Sequence, residues 1–189
     1  MAERSGMMPS LLRGQLSRRD YTLLLRNLQL IYAALERGLA HAPAPAGVDF
    51  TPLYRAAALA KDLAFLSPEP GFEPCEATQR YVARLEQLAA SDPRLLIAHA
   101  YVRYLGDLHG GQLLRRCVAR VLQVEDGQGL DFYDFGPAER VAQLIHGFRV
   151  TLNGLALEAS EAEAMAQEAR LGFALHIDIF EQLSPALNL

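Results

Sequence analysis

The residues best suited to chemistry lie in one stretch, Leu95–Arg116, LLIAHAYVRYLGDLHGGQLLRR. Gly106 and Gly110 are spaced i and i+4, so on a helix they share one face. Asp107 flanks this strip without side chains, and Tyr101 and Arg103 stand about one turn earlier. A wide, flat molecule can approach such bare backbone closely, with a carboxylate at its edge to hold or pass a proton. The other reading is a kinked helix packed closely on a neighbour, and spacing alone leaves both open.

The stretch must be helical for this to hold, and its apolar residues do recur at helical spacing. Gly106, Gly110 and Gly111 nevertheless fall within six residues. Each costs roughly 1 kcal/mol against Ala in a helix interior, which calls for a packing or functional reason. Gly111 is read as support for a kink.

The flanking sequence predicts more helices. Glu3–Leu12 reads as helical and ends at Gly14. Ser17 with Asp20 begins a long core helix carrying Tyr21, Leu24, Leu25, Leu28, Ile31, Tyr32, Leu35 and Leu39. His41–Pro52 has three prolines and a glycine in twelve residues and reads as a loop. Leu53–Leu66 reads as a helix with Lys61 and Asp62 as a solvated pair, and Ser67–Thr78 as a second loop. Thr78 is expected to cap the next helix, and Ser91 or Asp92, followed by Pro93, to open the central one. Val124–Arg140 is a loop whose Phe132, Tyr133 and Phe135 are expected to pack on the core. A helix follows from Pro137 to about Gly154, and a Ser160–Glu163 capping box opens the last, which runs to Leu183. The expectation is an all-α fold of six to eight helices, one domain over residues 1–189.

Bulk properties exclude several classes. A net charge of −4 without a long basic run argues against nucleic-acid binding. No apolar run reaches the roughly 18 residues of a membrane span. The N-terminus lacks the plan of a signal peptide. Cys75 and Cys117 form no framework, which suits a reducing cytoplasm.

The run AHAYVRYLGDLHGGQ resembles the signature of the biliverdin-producing heme oxygenases. LSRRDYTLLLRNLQLIYAALE, RAAALAKDLAFL, QRYVARL and FALHIDIFEQL are similar to that family in order and spacing, so the resemblance covers nearly the whole chain. It implies a heme-oxygenase-like helical domain that uses heme as substrate and cofactor. It implies dioxygen, and electrons from a ferredoxin or an NAD(P)H-dependent reductase, with biliverdin, carbon monoxide and ferrous iron as products. Two other readings stay open: a heme-binding or sensing module without turnover, and a helical domain for a different flat ligand.

The resemblance also implies roles. Asp107 orders the waters that carry a proton to the iron-bound ligand, Gly106 and Gly110 roof the heme, and Arg103 and Tyr104 join the distal network. Tyr101 and Arg149 meet a propionate, though Ile145 stands where a second basic residue is common. Phe173 and His176 contact the heme from the last helix, His176 at a position where the family often has an amide. His109 replaces the usual serine and either joins the water network or points away. His99 is expected to be a satisfied core histidine, His41 and His146 to be exposed, and no set of ligands for a non-heme metal is recognised. The axial histidine of the family precedes an Ala-Glu pair like Ala2-Glu3, which puts it one or two positions before Met1. Either the start is assigned too late or the ligand has been lost.

Overall fold

How each helix begins decides which side chains reach the centre. The computed structural model describes residues 6–41, 49–66, 70–124 and 127–184. The short helix α1 (Met8–Leu12) stops at Gly14, whose φ is +67° and whose N–H donates to Leu11 O at 3.0 Å. Just before α1, a Cβ on Gly6 would lie 2.0 Å from Phe180 O, and Met7 N–H donates to that same oxygen at 3.1 Å. Only glycine lets α1 dock this closely on the end of the last helix.

Ser17 and Asp20 cap α2 (Arg18–His41) reciprocally: Asp20 N–H donates to Ser17 Oγ at 3.1 Å, and Ser17 N–H to Asp20 Oδ2 at 3.3 Å. The eight apolar and tyrosine positions expected to face inward on α2 are all buried.

The helix expected from Leu53 starts later. Thr51–Leu53 is a 3-10 turn, Tyr54 turns extended, and α3 runs Ala56–Leu66. Glu36 explains the late start, because its buried carboxylate accepts the N–H groups of Arg55 and Ala56 at the head of α3. Asp62 is likewise no solvated partner of Lys61. It is buried and accepts Asp131 N–H and Phe132 N–H, both at 2.8 Å, while Lys61 pairs with Asp131 at 2.6 Å. Two backbone donors offset part of its desolvation, which still leaves its pKa raised to about 6.

Helix α4 (Glu76–Ser91) begins after Cys75, not at Thr78, which is buried in the first turn beside Cys75 Sγ. A 3-10 turn at Pro93–Leu95 leads into α5 (Leu96–Leu122), which continues unbroken through all three glycines. Helices α6 (Ala138–Asn153) and α7 (Ala159–Gln182) complete the fold. The capping box of α7 is Glu158 with Glu161, two positions before the expected pair, because Glu163 is engaged with Gln167 and Arg170.

Helices α2, α4, α7 and α5 pack in a closed ring, each against the next. Helix α3 flanks α2, α6 leans on α5, and a 3-10 turn at Asp131–Tyr133 packs against both α3 and α5. Among the described residues there are seven α-helices and no strand, and no helix is long and apolar enough to cross a membrane.

Candidate active site

The glycine strip of α5 opens onto space. A Cβ on Gly106 would meet nothing within 4 Å, and one on Gly110 only the tip of Leu114 at 3.9 Å. Close packing on a neighbouring helix, the competing explanation, is therefore absent at these two positions. Gly111 differs, since its Cβ would lie 3.6 Å from Tyr133 O, so it allows the 131–133 turn to sit close.

The space is a cavity of about 360 Å³ between α1, α2, α5 and α7. Met8 and Leu11 of α1, Leu24 and Leu28 of α2, and Phe180 of α7 make apolar walls. Val102 and Leu114 extend the α5 wall, and Phe132 and Tyr133 close one side. Polar groups enter from Arg103, Asp107 and His176. Mostly apolar walls with a few convergent polar groups are the usual make-up of a small-molecule site.

Those polar groups form one network. Tyr32 OH donates to Asp107 Oδ2, and Arg103 donates to Tyr32 OH from Nε at 3.2 Å and from Nη2 at 3.0 Å. Arg103 Nη1 donates to His176 Nδ1. The His176 ring rests edge-on against Phe180, 4.4 Å between centroids. Tyr104 stands behind, its ring 5.9 Å from that of Tyr32 and its OH donating to Glu36 at 3.4 Å.

Burial pushes the Asp107 carboxyl above its ordinary range, although the Arg103 charge and the Tyr32 hydrogen bond pull the other way. Burial works against the charge of Arg103 as well, but Tyr32 and Asp107 raise its pKa overall and keep it cationic. His176 is driven well below 6.5 by burial and then by the Arg103 charge, so its ring is neutral. A carboxyl raised toward working pH, fixed between a tyrosine and a guanidinium, is a group that can take and return a proton.

Five residues expected at the site do meet in the cavity wall: Arg103, Gly106, Asp107, Gly110 and His176. Phe173 joins them from the edge, 43% exposed. Tyr101, 46% exposed, and Arg149, also exposed, do not line the cavity. His109 is exposed and donates from Nδ1 to Leu105 O at 2.7 Å, so its ring lies along its own helix, outside the cavity wall. The position expected for the axial histidine lies outside the described residues.

Sequence reasoning left Tyr32 in the core and placed Phe132 and Tyr133 only as loop anchors. The structure puts Tyr32 on Asp107, 75 positions away, and the other two in the cavity wall. No local pattern marks such a pairing, though an unpaired tyrosine hydroxyl on the buried face of α2 demanded some partner.

His99, by contrast, is the satisfied core residue expected. It is fully buried, with Nε2 2.8 Å from Glu168 Oε1 and Nδ1 3.1 Å from Tyr81 OH. Arg84 closes that cluster by donating from Nε to Glu168 at 3.0 Å.

The sequence model for heme oxygenase matches residues 1–182. The heme oxygenase of Porphyra purpurea is 34% identical over 193 residues, covering 99% of this chain and 82% of that one. Heme oxygenase-1 of the cyanobacterium Synechocystis, solved in complex with heme, superposes with a TM-score of 0.88 at 33% identity, covering 97% of this chain and 85% of that one. Heme oxygenase-2 of Synechocystis, solved with heme and NO, gives a TM-score of 0.90 at 34% identity, covering 96% of this chain and 78% of that one.

Proposed function

The chain belongs to the heme oxygenase family, and on that premise we propose that it cleaves heme to biliverdin, carbon monoxide and ferrous iron. The observation that carries this reading is the open glycine strip beside a half-buried, hydrogen-bonded carboxylate. Bound heme supplies both the substrate and the iron at which dioxygen is activated.

The chain's own residues supply position, dryness and a proton. Gly106 and Gly110 leave one broad face free of side chains. Met8, Leu11, Leu24, Leu28 and Phe180 keep water from the apolar part of the cavity. Asp107 stands at the edge of the glycine strip, and its raised pKa lets it exchange a proton with water in the cavity. Tyr32 and Arg103 fix the carboxylate, and Tyr104 with Glu36 backs Tyr32, so the acid does not have to reorganise when it acts.

Tyr101 and Arg149 belong at the rim, where exposed polar groups meet the propionates, with arginine matching a carboxylate by two parallel hydrogen bonds. Ile145 offers no second cation there. Electrons come from a ferredoxin or an NAD(P)H-dependent reductase, and dioxygen is the co-substrate. The two free cysteines suit a cytoplasmic location.

The test adds hemin to the protein, then a reductant and air, and identifies the product by absorption and mass. Biliverdin is expected. A bound heme that survives turnover unchanged contradicts the enzyme and leaves a heme-binding module.

A further inference from the structure

Asp107 accounts for one polar side of the cavity. The other side belongs to His176, and its hydrogen bonding determines where its proton sits. Arg103 is a guanidinium and donates only. A ring nitrogen that takes a hydrogen bond from it must present a lone pair, so Nδ1 of His176 is unprotonated. The ring is neutral, because a second positive charge beside a buried guanidinium is disfavoured. The single ring proton is therefore on Nε2.

Nε2 has no protein partner among the described residues, and His176 lines the cavity. An N–H that opens onto the cavity without a protein acceptor takes one from the cavity's contents. Phe180 packs edge-on against the ring and Arg103 holds its other nitrogen, so the imidazole is locked in this orientation. Helix α7 fixes the residue from one side and α5 fixes its partner from the other.

We propose that His176 is a hydrogen-bond donor, through Nε2–H, to an anionic or oxygen-bearing ligand held in the cavity at the glycine strip, and so helps decide which small ligands bind there. This rests on the heme reading above. Arg103 is then a positioning residue with two tasks: it orients Tyr32 toward Asp107, and it fixes the tautomer of His176. An amide at this position has a donor and an acceptor that can exchange places by a flip, whereas the bond from Arg103 fixes the histidine as a donor toward the cavity.

Two measurements test this. The first uses the protein without heme and records the side-chain 15N shifts of His176 at pH 7. A protonated Nε2 and an unprotonated Nδ1 are expected; an Nδ1–H tautomer or a doubly protonated ring overturns the proposal. The second uses the hemin-loaded protein, with fluoride as the probe of the ferric form and carbon monoxide as the probe of the ferrous form after anaerobic reduction with dithionite. Fluoride is an anion that accepts a strong hydrogen bond, and carbon monoxide accepts only a weak one. His176→Leu should weaken fluoride binding at least ~10-fold and change carbon monoxide affinity by less than ~3-fold. His176→Gln, which can place an N–H at similar reach, should restore fluoride affinity to within ~3-fold of the original. Unchanged fluoride affinity in His176→Leu, or equal loss in both variants, removes the donor role. If hemin does not bind at all, the functional reading fails, and the tautomer measurement alone decides this one.

Discussion

Two largely enclosed polar clusters sit one helical turn apart on the seam between α5 and α7. They use similar residues for opposite ends. In one, His99, Tyr81, Arg84 and Glu168 bond to each other, and both nitrogens of His99 have protein partners. In the other, His176, Tyr32, Arg103 and Asp107 bond in a chain, and His176 keeps one nitrogen for the cavity. The glycines make the same contrast. A Cβ on Gly172 would lie 2.8 Å from His99 Nδ1, whereas one on Gly106 would meet nothing within 4 Å. One glycine allows two helices to close together, and the other keeps a cavity open. Similar residue types thus serve stability where their valences are filled and chemistry where one is left over.

The comparison can be broken by substitution. The largest effect is expected at Asp107. Asp107→Ala should keep hemin binding and lower biliverdin yield at least ~100-fold, the lower end of what a positioned acid–base group contributes. Equal yield from the variant would move proton delivery elsewhere.

Glu168 should show its effect in stability. Burial opposes its charge, yet the hydrogen bonds from His99 and Arg84 lower its pKa to about 2. A carboxyl that is more acidic folded than unfolded stabilises the fold above its unfolded value, near 4.5, and loses that contribution as pH falls through about 2. Glu168→Gln should therefore cost about 3 kcal/mol at neutral pH. The gap to the parent protein should close between pH 4.5 and 2 in urea titrations. A gap that does not change with pH would contradict the linkage.

The glycines follow. Gly172→Ala should destabilise by about 1–3 kcal/mol, because the new methyl group meets a ring that cannot move without breaking the Glu168 bond. Gly106→Ala should do the reverse in the protein without heme, raising stability by up to about 1 kcal/mol through helix propensity while weakening hemin binding. Thermal melts with and without hemin separate the two.

Much of this was legible in the sequence. The i, i+4 glycines with Asp107 between them located the cavity wall, and the reciprocal Ser17–Asp20 cap and the inward face of α2 formed as expected. What escaped were pairings across long stretches of chain. Asp62 beside Lys61 reads as half of a surface pair, yet it serves the 131–133 turn some 70 positions later. Tyr32 reads as one more buried position on an amphipathic helix, and only the packing of α2 against α5 delivers its hydroxyl to Asp107. Helix starts were misplaced at α3, α4 and α7 for a related reason. A carboxylate from another helix caps α3, Cys75 takes the start of α4, and Glu158 outcompetes Ser160 at α7. His109 was a candidate by proximity to the strip, and its own helix carbonyl claims it.

The most direct measurement is a hemin titration of the parent protein and Gly110→Leu, followed at the Soret band, with melting curves to show that both fold. A side chain at this position projects into the space assigned to the tetrapyrrole. Saturable one-to-one binding to the parent and at least ~10-fold weaker binding to a normally folded variant are predicted. Equal affinity in the two proteins would mean that the heme does not lie against the glycine strip.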